Sequence, residues 1–156
     1  MTDTIRLGID LYDRIKKSKE YREAVRDSLL REIRYNEEIL ANGIKSDFKM
    51  HGIYDNKNYF ELLKTDIFDS LHLNFVSIKD VLKEEKLSNK TLNEIQKHSN
   101  GNFRKWLQNT TTNVELLEKV YHRIAIMKAL SVVNMDKNIM SKQYVKYLLL
   151  LLRKGL

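Results

Sequence analysis

The side chains that most often carry out chemistry are few in this sequence, and they are scattered. Cysteine is absent, which excludes disulfides, thiolate nucleophiles and cysteine-bound zinc. No two of the four histidines have the spacing that places metal ligands on one helix face; they are His51, His72, His98 and His122. A glycine-rich phosphate loop and a G-x-S-x-G motif are also missing. The sequence therefore predicts no metal, no cofactor and no catalytic residue, and it weighs against an enzyme without excluding one.

Three polar side chains interrupt the apolar stripe of the second predicted helix. Arg22, Arg26 and Asn36 share a face with Val25 and Leu29. A polar group that faces a core must find a partner, or it costs roughly 1–3 kcal/mol. One interpretation is a polar pocket in which the two guanidinium groups bind an anion. We favour the other, in which both arginines reach solvent and Asn36 bonds a backbone carbonyl. On that interpretation, Asn36→Leu is expected to change stability modestly or to raise it.

Segment 97–106 is the strongest candidate for contact with nucleic acid. It combines cations for phosphates with rings that can stack on bases: Lys97, Arg104, Lys105, Phe103 and Trp106. The alternative, which we favour, is that the two aromatic residues anchor a turn to the core. The surrounding charge supports the first interpretation, since residues 95–156 carry 11 basic and 3 acidic side chains, whereas residues 1–42 carry 9 of each. A basic half of this kind attracts an acidic partner, either nucleic acid or protein.

Five consecutive leucines, residues 148–152, give the last predicted helix an unusual distribution of apolar side chains. Lys146 and Arg153 belong to its polar side, yet Leu150 falls between them and Leu149 lies at the flank. Either this helix is buried almost all round, or the leucines contact a partner. Both interpretations stay open. The second predicts an interface built from Leu149, Leu150, Lys146 and Arg153.

Helical patterns fill most of the chain, which has no proline and only 5 glycines. The predicted helical segments are 3–17, 20–41, 65–73, 77–86, 88–98, 103–107, 112–133 and 139–153. Asn42-Gly43 is expected to end the second of them, and Thr112 with Glu115 predicts a capping box. We predict an all-α protein, a compact single-domain bundle of five to seven helices over residues 1–156, with helix over about two thirds of the chain or more.

The first residues lack the basic and apolar segments of a secretory signal, which together with the missing cysteines indicates a cytoplasmic protein. The longest apolar run, Tyr147 to Leu152, is far short of the roughly 20 residues that span a membrane. We predict a non-enzymatic interaction or adaptor module that binds a protein partner, or a second copy of itself, through the C-terminal helix. The alternative is a nucleic-acid-binding protein that uses residues 95–156. No pattern identifies a known family.

Overall fold

The computed structural model describes residues 18–49, 59–73, 78–98, 101–130 and 135–155. Within these ranges α-helix covers 82% of the residues and no strand is present, so the all-α prediction is confirmed. The elements in chain order are α1 (Lys19–Lys49), a 3-10 turn (Tyr59–Leu62), α2 (Asp66–Leu73), α3 (Ile78–Val81), α4 (Asn89–His98), α5 (Gly101–Trp106), α6 (Asn113–Ala129) and α7 (Met135–Gly155). The predicted helix 3–17 lies outside the described residues, as do residues 51–52 and 55–58, where His51-Gly52 and Asp55-Asn56-Lys57-Asn58 predict turns.

Helices α1, α6 and α7 form the centre of the fold, because α7 packs against both of the others. The apolar stripe of α6 is core: Leu116, Leu117, Val120, Ile124 and Met127 are all buried. The burial of each of these side chains contributes roughly 1.5–3 kcal/mol to the free energy of unfolding, before the entropy lost on ordering the chain is subtracted. The shorter elements cover this centre, and the 3-10 turn adds the buried ring of Phe60.

Gly43 lies inside α1 and does not end it. The prediction that the helix stops at Asn42-Gly43 is wrong, since α1 continues to Lys49. The ring of Tyr59 lies directly on this glycine, and a Cβ placed there would overlap three of the ring atoms. Glycine is therefore required here by the close approach of a neighbouring side chain, and not by a left-handed backbone.

The helix predicted over 77–86 is much shorter, since α3 ends at Val81. Residues 85–87 instead pair with residues 111–113 in an isolated antiparallel bridge. The N–H of Leu87 donates to the carbonyl of Thr111 at 2.8 Å, and the N–H of Asn113 donates to the carbonyl of Glu85 at 2.9 Å. This pairing satisfies backbone groups that a longer helix would have bonded internally.

The capping box predicted at the start of α6 is confirmed. The hydroxyl of Thr112 accepts a hydrogen bond from the N–H of Glu115 at 3.2 Å. The Glu115 carboxylate accepts in turn from the N–H of Thr111 at 2.9 Å, which lowers its pKa below the ordinary value. The helices predicted over 65–73 and 88–98 also match α2 and α4, whereas α7 begins four residues before the predicted start. No helix in the described ranges is long and apolar enough to cross a bilayer.

Candidate functional site

The C-terminal helix does not present its leucines as a surface. Leu149 is 0% exposed, and Leu148 and Leu152 are buried with it. The prediction that Leu149 belongs to an exposed contact is therefore wrong, because α1 and α6 cover α7 from two directions. Leu150 and Lys146 are half-buried.

Arg153, the fourth residue of that predicted interface, is engaged within the chain. Its Nε donates to Oε2 of Glu37 at 2.9 Å, and its Nη2 lies 3.5 Å from Oε1 of the same carboxylate. The pair is mostly shielded from solvent, with 32% and 18% of the two side chains exposed. Arg153 therefore joins α7 to α1, which gives its position an explanation without a partner protein.

The predicted polar pocket is not assembled. Asn36 is fully buried, and its amide bonds the backbone of Lys64 through both atoms: Nδ2 donates to the Lys64 carbonyl at 2.8 Å, and the Lys64 N–H donates to Oδ1 at 2.7 Å. Arg22 and Arg26 are exposed and line a separate groove of about 710 Å³. Ten residues of α1, roughly 15 Å of helix, separate Arg26 from Asn36. The favoured interpretation of Asn36 is confirmed.

The groove beside Arg22 and Arg26 is lined by both acidic and basic side chains. Acidic and basic side chains alternate along it and form ion pairs with N–O distances of 3.2–3.9 Å: Lys19–Glu23, Lys79–Glu84 and Lys83–Glu85. The carboxylates offset the attraction that the arginines would exert on an anion. Nothing in this groove supports the anion site that the two arginines suggested.

Segment 97–106 divides between surface and core. Trp106 is half-buried against the core, with its ring centroid 6.4 Å from that of Tyr144. Its ring therefore anchors α5, as in the interpretation that we favoured. Lys97, Arg104 and Lys105 are exposed, whereas the side chain of Phe103 lies outside what the structure describes.

Lys97 and Arg104 meet at a second groove, which we call the α4–α5 groove. It has a volume of about 790 Å³, within the range of ligand-binding pockets. Its floor is apolar and comes from three separate parts of the chain: Leu87, Leu92, Ile95, Leu107 and Leu116. Its rim is polar and consists of Asn93, Gln96, Lys97, Arg104, Gln108, Asn109, Thr110 and Thr111. An apolar floor with a polar rim is the usual composition of a binding site.

The charged side chains that the structure describes in the lining of the α4–α5 groove are those of Lys97 and Arg104, both basic. None of the described side chains that line it is acidic. Two carboxylates adjacent in sequence to lining residues are hydrogen-bonded: Glu94 accepts from the hydroxyl of Tyr147 at 3.3 Å, and Glu115 accepts from the N–H of Thr111, which itself belongs to the rim. Nη2 of Arg104 donates to the carbonyl of Gln96 at 3.2 Å, so the guanidinium is held at the rim across the end of α4.

Lys119 fixes the wall that residues 107–111 form. Its ammonium donates to the carbonyl of Trp106 at 3.0 Å, the carbonyl of Gln108 at 3.2 Å and the hydroxyl of Thr110 at 2.7 Å. Asn109, between these acceptors, has a φ of 67°, a left-handed conformation that asparagine tolerates better than most residues. The wall is thus set before any ligand binds, which reduces the entropy lost on binding.

Asn113 holds the segment that precedes Leu87, and its own side chain lines the separate groove beside Arg22. Its Oδ1 accepts from the N–H of Glu85 at 2.8 Å, and its Nδ2 donates to the carbonyl of Lys83 at 3.1 Å. These bonds fix the segment that leads into Leu87 on the groove floor. Neither Lys119 nor Asn113 was predicted from the sequence to hold the segments around the groove. Asn113 follows the capping threonine, but no local pattern signals that its partners lie about 30 residues earlier.

A buried carboxylate elsewhere has a structural role. Oε2 of Glu32 accepts from the N–H of Ile67 at 2.8 Å and so caps the start of α2 from a neighbouring helix. Tyr121 lies stacked on Phe68, with ring centroids 4.4 Å apart. Burial and the adjacent Glu32 raise the pKa of Tyr121 well above its ordinary value. In the described ranges, no group of three or more histidine or carboxylate side chains is arranged to hold a metal ion.

The chain matches no protein-family model, and it has no significant similarity to a curated protein or to a solved structure.

Proposed function

We propose that this protein is a non-enzymatic interaction module that binds a segment of another protein in the α4–α5 groove. The observation that carries the proposal is the preformed groove of about 790 Å³, with an apolar floor and a polar rim whose described residues include no acid. Such a floor excludes water from an apolar anchor of the partner, while the rim fixes its orientation. The proposal keeps the function expected from the sequence and moves the contact away from the C-terminal helix.

Nucleic acid is a second candidate because Lys97, Arg104 and Lys105 are all exposed along one short segment. Strong binding to DNA or RNA, however, uses about six to ten phosphate contacts. Other cations of the basic half are engaged inside the fold: Lys119 makes three hydrogen bonds, and Arg153 pairs with Glu37. The ring of Trp106 lies beside that of Tyr144 and does not line the groove. A protein partner fits this groove better.

Selection from a random-peptide phage library tests the proposed function. Peptides enriched on the wild type should lose binding to a Leu92→Asp variant, which places a carboxylate on the groove floor. Leu92 is half-buried, so the fold should tolerate the change. Leu62→Asp is the matched control, because Leu62 is 55% exposed on the 3-10 turn and does not line the groove. Peptides that bind both variants as well as they bind the wild type would contradict the proposal.

A further inference from the structure

We infer that the segment bound in the α4–α5 groove is acidic, with carboxylates that pair with Lys97 and Arg104 while an apolar side chain fills the floor. The inference rests on the proposed function and specifies the chemistry of the partner. Its basis is charge complementarity, since the two charged side chains among the described residues of the groove lining are cations.

The backbone near the rim does not cancel this charge. The C-terminal end of a helix carries about half a negative charge, and α4 ends at His98, close to Lys97. Two full positive charges exceed that partial charge. Arg104 also satisfies one of the carbonyls at this helix end, that of Gln96. Where Lys97 and Arg104 lie, these two cations favour a carboxylate of the partner and disfavour a cation.

The other rim groups suit the backbone of the partner. Asn93, Gln108 and Asn109 are exposed amides at the groove, each able to donate and to accept a hydrogen bond. A segment bound in an extended conformation has unpaired backbone N–H and C=O groups, which such amides can satisfy. Carboxylates near the cations and one apolar anchor over Leu92 and Leu107 therefore describe the bound segment.

The experiment repeats the phage selection on two variants of equal net charge. Lys97→Ala/Arg104→Ala removes both cations of the groove, and Lys79→Ala/Lys83→Ala removes two cations of the separate groove beside Arg22. Circular dichroism verifies that each variant is folded. Peptides selected on the wild type and on Lys79→Ala/Lys83→Ala should be enriched in aspartate and glutamate. Peptides selected on Lys97→Ala/Arg104→Ala should not.

One enriched peptide and its counterpart with asparagine and glutamine in place of the acids are then compared by fluorescence anisotropy. Two exposed ion pairs predict that the acidic form binds the wild type about five- to tenfold more tightly, and that Lys97→Ala/Arg104→Ala abolishes the difference. Neutral peptides that bind equally well, but still require Leu92, would overturn this inference and leave the proposed function intact. A different outcome would overturn both this inference and the proposed function. In that outcome no selected peptide depends on Leu92, and a thymidine oligonucleotide binds in a way that depends on Lys97 and Arg104.

Discussion

The amide of Asn36 and the backbone of Lys64 form a closed pair of hydrogen bonds, of 2.8 and 2.7 Å, that joins the middle of α1 to the segment entering α2. One side chain thus satisfies both polar backbone groups of a residue 28 positions away. Asn36 has no exposed surface. Water therefore cannot take the place of this amide without movement of the backbone.

Replacing Asn36 should destabilise the protein. Asn36→Leu leaves the N–H and C=O of Lys64 without their partner, and we expect a loss of about 2–4 kcal/mol in the free energy of unfolding. This reverses the expectation from sequence, which assumed that one carbonyl was involved. Urea denaturation followed by circular dichroism measures the loss. Glu38→Leu, at an exposed position of the same helix, is the control, and equal midpoints for the two variants would disprove the role of Asn36.

The contact of Gly43 with Tyr59 should reverse the sign of a helix-stabilising substitution. Alanine is favoured over glycine inside a helix by about 1 kcal/mol, but at Gly43 its methyl group overlaps the tyrosine ring. Gly43→Ala should therefore destabilise the wild type, yet stabilise the Tyr59→Ala variant by about 1 kcal/mol. A double-mutant cycle of thermal or urea unfolding measures both effects. The same sign in both backgrounds would exclude the close contact.

Lys119 should control the order of the groove wall. Lys119→Met removes three hydrogen bonds to residues 106–110, and we expect faster amide hydrogen exchange at Gln108 and Thr110, measured by mass spectrometry. Groove-dependent peptides should also bind less tightly to this variant. Lys128→Met, on the same helix, serves as the control. Unchanged exchange at residues 107–111 in Lys119→Met would show that the wall is held by other contacts.

The start of α6 should respond to acid through Glu115. Hydrogen bonding to the N–H of Thr111 lowers the pKa of Glu115 below its ordinary value of 4.5, so the carboxylate stabilises the fold when it is ionised. This contribution is fully present above pH 4.5 and is lost as the pH falls through the lowered pKa of the folded state. Glu115→Gln should be less stable than the wild type at neutral pH, and the difference should disappear in acid. Urea midpoints across the pH range test this, and a constant difference would contradict it.

Adjacent leucines of α7 should respond differently to a charge. Leu149→Glu buries an unpaired carboxylate, which costs several kcal/mol and should unfold the protein. Leu150→Glu, at a half-buried position, should stay folded. Circular dichroism with light scattering measures fold and mass together. A wild-type oligomer that dissociates in Leu150→Glu would establish self-association through α7, whereas a wild type that is monomeric at every concentration would exclude it.

Features set by neighbouring residues were predictable from the sequence. Ser88 and Thr112 accept hydrogen bonds from backbone N–H groups three residues later, and α4 and α6 begin where these patterns indicated. The basic character of Lys97 and Arg104 was visible for the same reason. Charge and capping depend on residue type and short spacing, both of which the sequence displays.

Features set by distant residues were not predictable. Gly43 lies inside α1 under the ring of Tyr59, and Asn113 bonds the backbone of Lys83 and Glu85 in the segment after α3. The groove floor combines Leu87, Leu92 and Leu116, which belong to three segments with no shared periodicity. Each of these outcomes depends on a tertiary contact, and no local pattern encodes it.

The packing of α7 on α1 has a consequence during synthesis. Arg153 and Glu37 are 116 residues apart, so this contact closes a loop of about three quarters of the 156 residues. A ribosome makes α1 first, and the apolar stripe with Leu29 and Ile33 emerges long before the helix that covers it. At about 5–20 residues per second, the uncovered stripe is exposed for several seconds. Chaperones that bind apolar helices on nascent chains would encounter this protein in that interval, and a ribosome stalled before α7 would leave α1 without its main partner.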